Sequence, residues 1–337
     1  MGAGALGFHH ARLLRDLPGV RFAGFYDADP ARREYVAASL GVRAHPTYAS
    51  LLDAADALAV VVPTPAHFEV AREALARGMH LLIEKPITTT LAEADELLAL
   101  AAATGAAVQT GHVERFNRAV RAALPYVDAP RFIESDRLAP FTARGADVAV
   151  VLDLMIHDID LVRTFVGAGV REVRATGVPV LTPTVDIASA RLAFASGAVA
   201  NITASRVSRD RLRKLRIFQQ SGYLSLDLAA GSGEFFRLRD DVDVAVLAAG
   251  LAGSASRGPG APAGPVDLGV FVERVPLEAA DGEPLRLELE SFAATLRGEQ
   301  PLAVSGSDGR EALAVALAIV AEIERTMPAL RGAPASV

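Results

Sequence analysis

The sequence predicts two α/β units: an N-terminal doubly wound parallel sheet, then an α+β unit whose open sheet is mainly antiparallel. Residues 2–7 read GAGALG, the G-x-G-x-x-G turn that lets a Rossmann domain approach a dinucleotide pyrophosphate. Short apolar runs alternate with helical patterns in the first third, and period-two alternation dominates after about residue 115. At 337 residues, we expect a Rossmann domain at 1–114 and a second domain at 115–330.

Apolar runs and caps define the elements of the first domain. The glycine turn leads into a predicted helix at 8–17, and a continuous apolar run predicts a buried strand at 57–62. The other predicted strands are 20–27, 80–83 and 108–110, and the other helices are 30–40, 66–77 and 91–103. Only Met1 precedes the turn, so the central strand of such a sheet is missing from the sequence. We therefore expect the natural protein to begin about six residues upstream, or this form to bind its dinucleotide poorly.

The second domain is predicted to begin with an apolar helix at 150–166. Alternating segments then predict strands at 171–178, 188–194, 199–205, 212–219 and 223–228, with hairpin turns at Gly197 and Gly222. Composition predicts a loop at 258–265, and helices at 285–296 and 309–326 close the chain. Such strands form an open sheet that is covered on one face.

Composition excludes several classes of protein. Hydrophobic residues make up 51% of the chain and charged residues 22%, as in globular proteins, and the net charge of −6 argues against nucleic acid as a partner. The absence of cysteine excludes disulfides, thiolate zinc sites and cysteine nucleophiles, and fits a cytoplasmic protein. No apolar run reaches the roughly 18 residues of a membrane helix, and no secretory signal is visible.

The cofactor is predicted from the strand that follows the glycine turn. Asp27 ends this strand about 20 residues after the turn, where a carboxylate accepts the ribose hydroxyls of NAD. The same carboxylate repels the 2′-phosphate of NADP, although Arg32 and Arg33 lie close enough to offset part of that repulsion. We therefore favour NAD and keep NADP as the alternative.

A lysine lies at the edge of the predicted parallel sheet where ligands bind. Lys85 belongs to the segment Glu84-Lys85-Pro86 at the carboxyl end of an apolar strand, which directs it toward the cofactor crevice. Pro86 restricts Lys85 to extended geometry. The alternative is a surface lysine in a strand-to-helix loop.

An aspartate and a histidine lie inside the apolar helix of the second domain. The spacing of four predicts Asp153 and His157 on one helical face, where they would share a polar pocket. His157 could accept a proton from an alcohol while the carboxylate fixes its orientation. Structural hydrogen bonding within the helix is one alternative, and a metal site of Asp153, His157 and Asp160 is another.

Together these features resemble the Gfo/Idh/MocA family of NAD(P)-dependent sugar and cyclitol oxidoreductases. The resemblance spans the chain, and further segments that carry it are Pro63-Thr64 with His67, Val304-Ser305-Gly306, and Asp308-Gly309. It implies homo-oligomers, dimers or tetramers, through the open sheet. It also implies that Lys85, Asp153 and His157 are catalytic, with a sugar hydroxyl losing its proton toward His157, assisted by Lys85. The cofactor residues implied are Gly2, Gly4, Ala5, Leu6, Gly7, Asp27, Arg32, Pro63, Thr64, His67, Glu84 and Lys85.

Two segments are similar to family members that oxidise UDP-N-acetylhexosamines at C3 for surface glycans, including lipid A. They are residues 111–117 (GHVERFN) and Ser205-Arg206-Val207-Ser208 followed by Arg213-Lys214 and Ile217-Phe218, although Arg118 stands where a proline is common. A diphosphate needs cations, so the substrate residues implied are Arg115, Asn117, Arg206 and Lys214. A free-sugar or inositol dehydrogenase is one alternative, and a non-catalytic NAD-binding regulator is another. No nucleic acid, membrane or metal partner is expected.

Overall fold

The computed structural model describes residues 1–142, 145, 148–242, 269 and 271–327. The α-helices are α1 (Ala5–Arg15), α2 (Pro30–Leu40), α3 (Tyr48–Leu52), α4 (His67–Ala76), α5 (Leu91–Thr104), α6 (Arg118–Ala123), α7 (Ile156–Val166), α8 (Pro284–Leu296) and α9 (Gly306–Thr326). The strands are β1 (Ala57–Val60), β2 (His80–Glu84), β3 (Val108–Gly111), β4 (Phe132–Leu138), β5 (Val170–Val178), β6 (Ile187–Phe194), β7 (Val199–Ser205), β8 (Leu212–Gln219), β9 (Gly222–Asp227), β10 (Ser232–Leu238) and β11 (Val272–Pro276).

The N-terminal sheet is parallel, in the order β1-β2-β3. Its apolar strand residues are enclosed by helices, and Leu81, Leu82 and Ile83 are fully buried. The start of α9 lies so close to β3 that a Cβ on Gly309 would collide with the side chain of Thr110. This contact explains the glycine at that position and brings the C-terminal helix against the parallel sheet.

The predicted strand at 20–27 does not form. Its β pairing among the described residues is an isolated bridge between Phe25 and Ala44, and a cavity of about 430 Å³ lies between it and β1. Met1 and Gly2 connect the two sides, since the Met1 carbonyl accepts from the Val61 amide at 2.8 Å and the Gly2 amide donates to the Tyr26 carbonyl at 2.9 Å. The segment lacks a ladder partner, and an extended chain without one is not a strand.

The second sheet has eight strands in the order β11-β10-β9-β8-β4-β7-β6-β5. All pairs are antiparallel except β4 with β7. Helices α7 and α9 cover one face. The other face carries an aromatic ladder across four strands, with ring centroids 4.9–5.6 Å apart. Its members are Phe132, Phe218, Tyr223 and Phe236. The alternation predicted most of these strands but missed β4, β10 and β11.

The apolar helix predicted at 150–166 is two helices. Val151–Met155 is a π-helix, and α7 continues from it. Single π-helical turns often mark functional sites because they rotate the side chains that follow. The predicted loop at 258–265 lies outside the described residues. Within the described part of the chain, no helix is long and apolar enough to cross a membrane.

Candidate active site

The candidate active site lies where the two sheets meet. Lys85 follows the carboxyl end of β2 and His112 follows the carboxyl end of β3. The π-helix and α7 bring Asp153 and His157 to the same junction, with the His112 and His157 rings 6.5 Å apart. Ligands in this fold bind beside the carboxyl ends of the parallel strands. Lys85 and His157 therefore lie together at a position where a ligand can bind.

The glycine turn forms a cradle that only glycine permits. A Cβ on Gly2 would lie 2.7 Å from the Val61 carbonyl oxygen, and a Cβ on Gly7 would collide with the Gly2 carbonyl. A Cβ on Gly4 meets nothing within 4 Å, and no side chain caps the N-terminus of α1. A tight turn that leaves open space beside a free helix N-terminus fits the diphosphate of a dinucleotide.

Asp27 and Arg32 hold this turn from two sides. Asp27 accepts hydrogen bonds from the Ala3 amide at 2.6 Å and the Asp29 amide at 2.9 Å. Arg32 donates to the carbonyls of Ala3 and Gly4 at 2.5 and 3.1 Å. A carboxylate has about four acceptor positions, so Asp27 can still accept ribose hydroxyls, whereas Arg32 is engaged by the turn itself.

His67 fastens the ends of two strand segments. Its ring is buried, and both nitrogens lie 2.9 Å from carbonyl oxygens, those of Pro86 and Val62. Burial lowers the pKa of His67, and a neutral ring can donate only one of these bonds. Pro63 and Thr64 begin the short 3-10 turn before α4. His67 therefore connects the backbone that follows β1, at Val62, with the backbone that follows β2, at Pro86.

Glu84 is buried directly before the candidate lysine. It lies 2.8 Å from Nε2 of His10 and accepts a hydrogen bond from the Lys85 amide at 3.2 Å. Burial alone would raise the pKa of Glu84, but the His10 contact and the Lys85 charge outweigh it and lower that pKa. Glu84 is therefore an anion beside Lys85. The sequence analysis did not predict a role for His10. The signal that could have shown it is a polar residue on the side of α1 that is buried.

Lys85 contacts the π-helix directly. Its Nζ donates to the Asp153 carbonyl at 2.6 Å and lies 3.4 Å from Oδ1 of the same residue. Burial lowers the pKa of Lys85, although the charges of Asp153 and Glu84 oppose that shift. The ammonium therefore releases a proton more easily than an exposed lysine does. Asp153 orients Lys85 in this structure.

His157 is a neutral imidazole at neutral pH. Burial, and then the positive charges of Lys85 and Arg137, hold its pKa well below the ordinary value of about 6.5. Its Nδ1 is enclosed and has no hydrogen-bond partner among the residues that the structure describes. The structure does not join His157 to Asp153, contrary to the expectation from their spacing. A neutral ring with an unpaired nitrogen can accept a proton.

A second histidine, which the sequence reasoning missed, faces His157. The two rings meet edge to face at 89°, and His112 is 1% exposed. Within the described chain neither ring nitrogen of His112 has a partner, and burial lowers its pKa. A buried, unpaired imidazole is destabilising, so a hydrogen bond from a bound ligand would stabilise this ring. Its sequence signals were its position after the end of a strand and its place in the segment GHVERFN.

Three of the four predicted substrate residues are engaged inside the protein. Arg115 forms two hydrogen bonds with Asp160, at 2.8 and 2.6 Å. Asn117 caps α6 and donates to the Leu228 carbonyl at 2.8 Å. Arg206 is buried against Asp186 and donates to several further oxygens. In this structure all three side chains therefore have partners within the protein.

The fourth predicted substrate residue, Lys214, lies on the open face of the sheet, opposite the face that carries His157. Strand β8 alternates, with Leu215 and Ile217 buried on the covered face and Lys214 exposed on the open face. Its neighbour Arg213 lies on the covered face, where its charge acts on His157. A one-residue difference in a strand decides between the two sides.

The metal alternative finds no cluster to support it in the described chain, where no three side chains of suitable type are grouped to hold a metal ion. Asp160, one of its proposed ligands, is occupied by Arg115.

Comparison with known proteins places the chain in a family. The oxidoreductase family Gfo/Idh/MocA, described by its NAD-binding Rossmann fold, matches residues 1–112, and the C-terminal domain of the same family matches residues 118–225. UDP-N-acetylglucosamine 3-dehydrogenase of Acidithiobacillus ferrooxidans is 37% identical and covers 96% of both chains. Its solved structure superposes with a TM-score of 0.85 over 97% of both chains, at 34% identity.

A second relative, scyllo-inositol 2-dehydrogenase (NAD(+)) of Bacillus subtilis, is 31% identical over 62% of this chain and 66% of its own length. Both relatives are dehydrogenases, and the first matches this chain over nearly the whole length of both proteins. The chain therefore belongs to the Gfo/Idh/MocA family and is an NAD(P)-dependent oxidoreductase that acts on CH-OH groups.

Proposed function

We propose that this protein uses NAD to oxidise a secondary alcohol of a nucleotide-linked amino sugar, namely C3 of UDP-N-acetylglucosamine. The observation that carries the reaction type is the neutral, unpaired His157 beside Lys85 at the junction of the two sheets. The substrate is supported by the full-length similarity to a UDP-N-acetylglucosamine 3-dehydrogenase. The product would be a 3-keto nucleotide sugar for surface glycans such as lipid A.

The roles of the residues follow from their charge states. NAD, when bound, accepts the hydride from the carbinol carbon. His157 accepts the proton of the same hydroxyl because its ring is neutral, and it becomes an imidazolium. Lys85 donates a hydrogen bond to the substrate oxygen, which fixes the hydroxyl and stabilises negative charge on it. Asp153 holds Lys85 in place through its carbonyl and carboxylate.

Asp27 supports NAD over NADP. Its carboxylate lies beside the glycine turn, where the 2′-phosphate of NADP would add charge of the same sign. Arg32, which could have balanced that phosphate, donates to the carbonyls of the turn instead. We therefore expect NADP to support turnover much more weakly than NAD.

The organisation of the protein is also a proposal. We assign residues 1–114 to cofactor binding and 115–330 to substrate binding and assembly, in a cytoplasmic homo-oligomer. The aromatic ladder of Phe132, Phe218, Tyr223 and Phe236 supports assembly through the open face of the eight-stranded sheet, because stacked aromatic side chains on an open face favour a partner surface.

The experiment is a substrate comparison. Purified protein is incubated with NAD and either UDP-N-acetylglucosamine or myo-inositol, and the absorbance of NADH is followed. We expect turnover with the nucleotide sugar. Turnover with inositol alone would move the protein to the inositol dehydrogenases, which its second relative favours. NAD binding without turnover of any sugar would make it a non-catalytic regulator.

A further inference from the structure

Arg213 is a cation of the site whose hydrogen-bonding capacity is only partly used. It lies opposite Arg137 on the neighbouring strand β4, so both side chains are on the covered face of the sheet, toward His157. The Arg137 side chain is 4% exposed and contacts Asp158 and Glu114 at 2.6 and 2.9 Å. The Arg213 side chain is 39% exposed, so a ligand can reach it.

The contacts of Arg213 within the protein are weak. Among the described residues its ion pair is with Glu114 at 3.4 Å, and that carboxylate already has the closer contact with Arg137. A guanidinium has five N–H donors. One long contact shared with a competing arginine leaves most of them available.

A second arginine adds positive charge at the same position. Arg211 lies two residues before Arg213 at the start of β8 and is exposed. Burial, and then the charges of Arg137 and Arg211, lower the pKa of Arg213, while the charge of Glu114 opposes that shift. The Glu114 carboxylate lies between Arg137 and Arg213 but is closer to Arg137, so the positive charge of Arg213 and Arg211 favours a further anion beside them. Phosphate oxygens suit this position because they accept the paired donors of arginine.

We propose that Arg213, assisted by Arg211, binds the phosphate groups of the nucleotide-linked substrate. This rests on the proposed function and names the residue that separates nucleotide-linked from free sugars. Arg115 and Arg206 cannot take this role because acidic side chains inside the protein already hold their guanidinium groups. Lys214 cannot take it because it faces the opposite side of the sheet.

The test compares Arg213→Ala with Lys214→Ala, a matched loss of charge at the next position of the same strand. We expect Arg213→Ala to raise KM for UDP-N-acetylglucosamine and Kd for UDP by about 10- to 100-fold, as for one charge-assisted contact. Its kcat and its KM for NAD should change by less than about threefold. Lys214→Ala should leave all four quantities unchanged.

Arg213→Gln keeps a donor for Glu114 and serves if the alanine variant does not fold; it should lose UDP affinity in the same way. An unchanged KM and Kd in Arg213→Ala or Arg213→Gln, with an active wild-type enzyme, would overturn this inference and leave the proposed function intact. A wild-type protein that neither binds UDP nor turns over its sugar would overturn both. An equal loss in Lys214→Ala would also overturn the inference, since it would show a general effect of charge.

Discussion

Arg206 directly follows β7 and Arg213 lies near the start of β8, so both are at the same end of the two strands that flank β4, but in opposite situations. Arg206 is 4% exposed and donates to the Asp186 carboxylate at 2.8 Å and to the Val148 carbonyl at 2.7 Å. Asp186 in turn accepts the backbone amides of Val180, Leu181 and Thr182. Arg213 is half-exposed and has one long ion pair. The first arginine has its partners inside the fold, and the second is free to bind a partner from outside.

The same difference separates two regions. Around Asp186 the charged groups are paired, and such groups contribute to stability. At the junction of the sheets, His112 and His157 retain enclosed nitrogens that lack partners in the described chain. Unpaired buried groups lower stability and persist where function needs them. The two regions therefore differ in how many of their buried polar groups have partners inside the protein.

The largest effect is expected for His157→Ala. Loss of the proton acceptor should lower kcat by about 100- to 10,000-fold, while Kd for NAD stays within a factor of about two. Steady-state kinetics and a binding titration measure the two quantities. Loss of NAD affinity would place His157 in the cofactor site and contradict its assignment as the proton acceptor.

Asp186→Ala tests the paired region. It leaves Arg206 buried without its carboxylate, so the free energy of unfolding should fall by about 3–5 kcal/mol. Denaturant titration measures this, with Kd for NAD as the control that the folded fraction keeps its cofactor site. A decrease in the free energy of unfolding of less than about 1 kcal/mol would mean that the hydrogen bonds and the ion pair of Asp186 contribute little to stability.

His112→Phe should separate stability from activity. The variant keeps a ring of similar shape and removes two unpaired nitrogens, so the free energy of unfolding should rise by about 1 kcal/mol. Turnover of the sugar should fall, because the ligand loses its hydrogen-bond partner at the site. Denaturant titration and steady-state kinetics on the same preparation measure the free energy of unfolding and the turnover rate. A variant that is less stable and fully active would contradict the assignment of His112 to the site.

Glu288→Gln gives a pH-dependent effect. Glu288 is fully buried, and neither carboxylate oxygen has a partner in the described chain. Burial, and then the charges of Glu84 and Asp160, raise its pKa well above the ordinary value of about 4.3. The unfolded chain ionises above that ordinary value while the folded protein stays protonated, so the native form loses stability as the pH rises.

Glutamine removes this ionisation. The melting temperature of Glu288→Gln should therefore exceed that of the wild type at about pH 8 by more than at about pH 5. Thermal scans at the two pH values measure the difference. An equal difference in melting temperature at both pH values would show that Glu288 is ionised in the folded protein.

The sequence predicted the features that depend on local pattern. The GAGALG turn, the strand that ends at Glu84 and the alternation along β6 to β9 are local, and the structure has them. The segment 20–27 failed because a strand needs a partner that its own residues do not supply. Asp153 and His157 reach the same junction, but in the described chain Asp153 contacts Lys85, and no hydrogen bond joins it to His157.

The substrate residues could not be predicted because composition does not show which arginines are already paired. Arg115 and Arg206 have acidic partners 45 and 20 residues away in the sequence. Arg213 and Lys214 differ only in strand parity, which is fixed by the burial of Leu215 and Ile217. His112 lies in the segment GHVERFN, but the sequence does not show which residue of that segment is buried beside His157 with both nitrogens unpaired.

The most direct test of the proposed reaction follows the hydrogen that leaves the substrate. The protein is incubated with NAD and UDP-N-acetylglucosamine deuterated at C3, and the NADH formed is weighed by mass spectrometry. The account predicts that each NADH gains one deuterium and that the sugar product is a ketone without it. NADH that forms without deuterium, while the sugar keeps its label, would show that another carbon is oxidised and would contradict the proposal.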